Sequence, residues 1–363
     1  MMQIIKYDSF GNKFKQLKLI TGGFLLILLI WSCQKDEEPI GINSPGQVKL
    51  DKIGVANDGW GILAHVVSHD GTKLYYALVN FQTNRYELRM IDSNTTVKKL
   101  FSGEGKIDAL DISKDDHTLL YSISPLYGGE SKLYEYPLES QIPYFLLSVT
   151  GDGYFWNAQY LPDGNIIYNQ GDGRVDLSLR RLDRISREVT VLMDKSENPI
   201  LIDIDEAGER LLVWGWSSYR IITLKFDGTE LKDFGDQNNK IRLVCFSPEG
   251  SEILASETVP ISQNSLFDQT IIYDVQTGEK NTLTIAQATR PLAYGKDKNE
   301  LLVRIGSLPM ELSLFDRSLN TYDNLTNNQM DEGFLGFYGN SSHRILFSAR
   351  DQSGNNDLYI VNK

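Results

Sequence analysis

Histidine and cysteine are scarce in this chain, with four His and two Cys in 363 residues. Two cysteines exclude a disulfide-stapled scaffold, and no Cys/His pair has the spacing of a zinc site. Basic residues are outnumbered, 36 against 48 acidic ones, for a net charge of −12. An acidic surface repels phosphate, which argues against nucleic-acid partners. No phosphate-cradling glycine loop is present. No Gly-x-Ser-x-Gly element is present either, and Gly215–Tyr219 only approximates one. No long stretch beyond residue 46 shows helical periodicity. The one long apolar run, Leu19–Trp31, has 13 residues, short of the ~20 that span a bilayer. What remains is 41% hydrophobic and 23% charged, a globular composition.

The N-terminal segment reads as an address. Lys6, Lys13, Lys15 and Lys18 precede the apolar run, which is the secretory pattern. Ile30–Cys33 then places Ser32 directly before a cysteine. This resembles the lipobox of bacterial lipoproteins, which implies that Cys33 is acylated and becomes the first mature residue. The following Gln34–Glu38 resembles the acidic export tag of some Gram-negative outer-membrane lipoproteins, and it reads equally as a solvated charge run. The resemblance implies an outer-membrane, lipid-anchored protein that can be exposed at the cell surface. Residues 1–32 are thus expected to be a signal peptide. Residues 33–46 are expected to form a lipidated cysteine and flexible polar tether, and 47–363 the folded domain. Without residues 1–32 the net charge is −15, because the four lysines outweigh Asp8 by three. Such a domain is held at an anionic membrane by acyl chains rather than by surface charge.

The body repeats. Turn-forming segments recur at Ser68–Gly71, Ser113–Asp116, Leu161–Gly164, Asp205–Gly208, Ser247–Gly250, Gly295–Lys298 and Gly339–Ser342, 42–48 residues apart. Each precedes an apolar strand such as Leu74–Ala77 or Leu211–Trp214. A second, alternating strand follows, for example Tyr86–Ile91 or Thr270–Val275, and then a short one such as Val97–Leu100, Val189–Leu192 or Thr282–Thr284. Four short antiparallel strands per unit, repeated, point to a β-propeller. The Ser-Pro-Asp-Gly-like turns, with Ser247–Gly250 and Leu161–Gly164 as the nearest copies, resemble the PD40 repeat of TolB-like propellers. The expectation is an all-β, seven-bladed β-propeller, with six blades plus an irregular unit as the runner-up. Gln47–Ile53 is expected to supply the outer strand of the last blade, because the last repeat lacks its own.

With strands lettered A to D from the centre, the short turns join A to B on one face. The longer B–C loops lie on the other, at 80–85, 124–131, 169–176, 257–269 and 349–356. Variable loops on a rigid scaffold are where binding concentrates. Trp60 and Trp156 fall in D–A connections, and Trp214 and Trp216 at the end of a B strand. With Tyr127, Tyr154 and Tyr219 they map to the loop face, as aromatic contacts for a glycan, a peptide or a protein partner. As single residues these rings also fit as wedges between blades. Arg290, with Arg242 and Arg304, offers a carboxylate contact, or salt bridges between blades. His65 reads as core and Cys245 as a small buried hydrophobe. His69, His117 and His343 sit in A–B turns without a matching carboxylate pattern. Asn169–Asp176 and Asp351–Asp357 offer oxygen ligands but do not match a calcium loop. No catalytic residue, metal or cofactor is expected. The function expected is a non-catalytic binding or scaffold module, the alternative a propeller enzyme acting on polysaccharide, a lyase or glycosidase.

Overall fold

The computed structural model describes residues 50–56, 60–92, 96–151, 153–171, 176–234, 240–262, 265–283, 289–305, 311–326, 331–337, 344–350 and 356–362. The signal peptide, Cys33 and the tether expected over 33–46 lie outside the described residues, as do His343 and the seventh turn, 339–342. Among the described residues there is no helix.

Twenty-eight strands form seven four-stranded antiparallel sheets. Strand β1 (Leu50–Ala56) comes first. Blade one is β2 (Trp60–Val67), β3 (Lys73–Asn80), β4 (Arg85–Asp92) and β5 (Val97–Glu104). Blade two is β6 (Lys106–Ile112), β7 (Thr118–Ser124), β8 (Ser131–Pro137) and β9 (Tyr144–Val149). Blade three is β10 (Tyr154–Tyr160), β11 (Ile166–Gly171), β12 (Leu177–Leu182) and β13 (Val189–Met193). Blade four is β14 (Pro199–Asp205), β15 (Arg210–Gly215), β16 (Arg220–Lys225) and β17 (Lys232–Phe234). Blade five is β18 (Lys240–Phe246), β19 (Glu252–Ser262), β20 (Ser265–Asp274) and β21 (Lys280–Leu283). Blade six is β22 (Thr289–Tyr294), β23 (Glu300–Ile305), β24 (Glu311–Asp316) and β25 (Thr321–Asn324). Blade seven is β26 (Asp331–Phe337), β27 (Arg344–Arg350) and β28 (Asn356–Asn362), completed by β1. Leu50 pairs with Val361 and Ala56 with Asn356, so the first strand covers the edge that the last one would expose. This is the expected seven-bladed propeller.

The apolar character of the second strands follows from burial on both faces. In β3, Leu74, Tyr76 and Leu78 join one cluster, while Tyr75 and Ala77 join a second shared with Ile107, Leu119 and Tyr121 of blade two. In β11, Ile166 and Tyr168 face blade two and Ile167 faces blade four. The core is therefore a series of seams between blades, and alternation is lost wherever both faces are covered.

Two expected boundaries are corrected. The segment 257–269 is not a loop: β19 and β20 continue pairing from Glu257↔Gln269 to Ser262↔Ser265. Pro260 discourages a strand reading. Among the described residues the β18–β19 ladder runs from Phe246↔Ile253 to Lys240↔Thr258, so Pro260 lies beyond its described end. The fourth strand of blade five is Lys280–Leu283 rather than 282–284, and residue 284 lies outside the described residues.

Every inner strand carries a register shift near its middle, between Ile62 and Ala64 in β2 and between Leu201 and Asp203 in β14, for example. Such bulges free backbone groups from their own sheet. Those of Leu201 are taken by blade three: Asn169 Oδ1 accepts its N–H at 2.8 Å and Asn157 Nδ2 donates to its carbonyl at 2.8 Å. Asn169 is fully buried and also donates to the Pro199 carbonyl at 2.7 Å. Asn169 is thus a clasp between blades rather than a calcium ligand.

Inner-strand carboxylates latch neighbours in the same manner. Asp111 Oδ2 accepts the Tyr160 N–H at 2.6 Å, and Asp203 Oδ2 accepts the Phe246 N–H at 2.8 Å. Burial pushes the Asp111 carboxyl from 3.8 up to about 6, against the backbone hydrogen bonds that favour its charged form. The folded state therefore holds a proton between those values that the unfolded chain releases, so this group's contribution to stability falls as pH rises through that window. Asp111→Asn, which keeps an acceptor for Tyr160, should gain stability relative to the parent between pH 4 and 7, by at most about 3 kcal/mol. Urea unfolding at the two pH values measures this. An equal difference at both would show that the carboxyl is not held protonated.

Candidate functional site

A tight loop, 216–219, joins β15 to β16 on the B–C side of blade four. A Cβ at Gly215 would lie 2.7 Å from Ser218 Oγ, so any side chain there would have to displace that hydroxyl. Tyr219 closes the loop at φ 55°, a left-handed value that few non-glycine residues adopt. The linker from blade three braces the turn from below. Trp216 N–H donates to the Asn198 carbonyl at 3.2 Å, and Ser218 Oγ donates to Glu197 Oε2 at 2.9 Å. Arg220 lies 3.7 Å from Glu197 and pairs with Asp233 of β17.

This bracing gathers three rings. The Trp214 and Trp216 centroids are 5.1 Å apart, and those of Trp214 and Tyr219 are 6.2 Å apart, at tilts of 60° and 56°. Trp216 is 49% exposed and Tyr219 38%, large values for aromatic rings held in place by neighbours. Trp214 lies on the same sheet face as Leu212, which packs against Ile241 and Ala255 of blade five. The trio thus stands at the seam of blades four and five. The blade-five hairpin, β19–β20, pairs four residues beyond Thr258 on that side, to Ser262. The Trp214 indole N–H is enclosed and meets no acceptor among the described residues. Together the loop offers exposed π faces beside a carboxylate–guanidinium pair, a surface suited to stacking and edge hydrogen bonds.

The other candidates stand elsewhere. Trp60 and Trp156 lie in the inner strands β2 and β10, not in the connections, although both stand at the B–C end. Trp60 packs against Leu74, Tyr76 and Leu78, whereas Trp156 is 36% exposed. Tyr154 lies over Gly171, where a Cβ would meet its ring at 2.5 Å. Tyr127 is exposed in the blade-two loop. No ring contact joins these four to the blade-four trio among the described residues. Arg290 opposes Arg304 across β22 and β23, and its side chain lies outside the described set, as does that of Arg242. The period-two pattern hides the loop brace, because Glu197 and Asn198 come from a different repeat.

Among the described residues the histidines do not gather at this face. His69 Nδ1 lies 3.0 Å from Asp116 of the next blade, whose carboxylate also accepts the backbone N–H of His69 and of Asp70. Among the described residues no three His, Cys, Asp or Glu side chains are arranged to hold a metal ion.

No protein-family model and no curated protein matches this sequence. The likenesses are structural. An oligogalacturonate lyase in complex with manganese superposes with a TM-score of 0.66 at 16% identity, over 89% of this chain and 95% of that one. An oligogalacturonate lyase from Vibrio parahaemolyticus gives 0.63 at 14% identity, over 89% and 96%. A prolyl endopeptidase gives 0.58 at 13%, over 81% of this chain and 47% of the peptidase. At these identities the shared property is the fold: the chain is built as a β-propeller like those enzymes.

Proposed function

We propose that this chain is a binding module of the TolB-like, PD40-repeat kind, tethered to the outer membrane through a lipid on Cys33. It captures a glycan, a peptide or a protein partner at its B–C loop face. The observation that carries this reading is the braced trio Trp214, Trp216 and Tyr219, with two rings exposed at a seam between blades. Rigid aromatic rings give large contact area at low entropic cost, which is why they dominate binding energies. Tethering raises the local concentration of a partner in the same envelope and makes moderate affinity sufficient.

The test uses the lipidated protein and a panel of envelope and extracellular polysaccharides, with native-membrane capture alongside. The Trp216→Ala/Tyr219→Ala double variant should lose about tenfold or more in affinity for whatever the parent retains, while its melting temperature stays within about 2 °C. Unchanged retention would remove the trio as the contact.

A second reading is favoured by the two lyase neighbours, 95% and 96% of whose length superposes on this chain. A polysaccharide lyase releases an unsaturated sugar. Ultraviolet absorbance during incubation with oligogalacturonate would show that product, and its appearance would replace the binding-module reading.

A further inference from the structure

On the opposite face, between the A–B turns of blades four and five and the inner strand of blade six, lies a cavity of about 600 Å³. That volume falls within the range of small-molecule sites. Its cause is legible in the inner strands. Two residues before each turn stand Val66, Asp111, Gln159, Asp203, Cys245 and Ala293 in successive blades. The side chain shrinks to a thiol and then a methyl in blades five and six, and both line the cavity. Phe246, Pro248 and Ala207 add apolar wall, and Asp203 lies at the blade-four side.

The charge balance inside is uneven. Asp205 is neutralised by Arg210, at 2.9 and 2.5 Å. Glu206 reaches Lys114 from the turn of blade two at 3.2 Å. Asp203 has no such counterpart. Its oxygens accept the backbone N–H groups of Ile204 and Phe246, and no described Lys, Arg or His forms an ion pair with it. A largely enclosed carboxylate without a counter-charge beside an open apolar volume favours an incoming cation with a hydrocarbon body.

We propose that this cavity binds a guanidinium or alkylammonium group carried on an aliphatic stem, with Asp203 as its counter-charge. Either a free amine or the Lys or Arg side chain of a peptide supplies that group, and the two sources are separated by the probes. The probes are agmatine, the capped tripeptide Ala-Arg-Ala, and isobutanol as an uncharged control, each titrated calorimetrically into the full chain. Agmatine binding identifies a free amine, and binding of the tripeptide alone a side chain. Isobutanol should not bind. Asp203→Asn keeps the acceptor for Phe246 but removes the charge, and should weaken cation binding about tenfold or more. Ala293→Leu pushes a branched side chain into the volume beside Asp203 and should weaken cation binding about tenfold or more without touching the latch. Asp111→Asn changes the same latch in blade two, which is not part of the cavity wall, and should leave affinity within about twofold. If neither cation binds, or if Asp203→Asn and Ala293→Leu both bind as the parent does, the assignment is wrong.

Discussion

Deleting Leu50–Ala56 is expected to cost about 6 kcal/mol, since six paired residues are lost at about 1 kcal/mol per net hydrogen bond. That is a large part of the ~5–15 kcal/mol by which such a domain is stable. The loss is local in contacts but not in consequence. Strand β28 becomes an open edge along its whole length, and that edge invites pairing with other chains. The expected outcome is an early unfolding transition in urea, fast hydrogen exchange confined at first to β26–β28, and a tendency to associate. A single transition at the parent's midpoint would mean that blade seven does not depend on its first-strand closure.

Asn169→Leu carries the second large effect. The residue is fully buried, and its side chain satisfies the N–H of Leu201 and the carbonyl of Pro199, both in blade four. Leucine has the same branched skeleton but is larger, and it satisfies neither. Two buried backbone groups left without partners at about 1–3 kcal/mol each give a loss of about 2–6 kcal/mol. The Asn157 bond to Leu201 remains and limits the damage. Thermal unfolding measures the loss. Because the residue acts as a clasp, neither calcium nor a chelator should move the parent's melting temperature. A calcium-dependent shift in the parent that vanishes in Asn169→Leu would restore a metal role.

The propeller was legible in the chain because its signals are local and repeated. Turns such as Ser68–Gly71 and Ser247–Gly250 recur at nearly constant spacing, and each is followed by a run buried on both faces. The closing strand was legible as a deficit of one strand at the end matched by a surplus at the start. Where two local signals compete, sequence reading fails. Pro260 and the polar residues around it conceal the extension of β19 and β20, because proline is disfavoured in a strand. Asn169 looked like an oxygen ligand because its partners lie 30 and 32 residues away.

The aromatic face divides along the same line. Strand direction alone sends Trp60, Tyr127, Tyr154, Trp156, Trp214, Trp216 and Tyr219 to one end of the blades, since successive hairpins alternate ends. Only the packing decides that three of them touch and that Trp60 is used as wall between strands.

The amino-acid order by itself determined the number of repeats, the position of the short turns and the acidic, helix-poor character, because these depend on neighbours a few residues apart. The tertiary structure alone decided where the bulges free a backbone group, which carboxylates gain a counter-charge, and where shrinking side chains leave a void. Those outcomes depend on blades about 45 residues apart in sequence meeting at a seam, and pair geometry across a seam is not encoded in local periodicity.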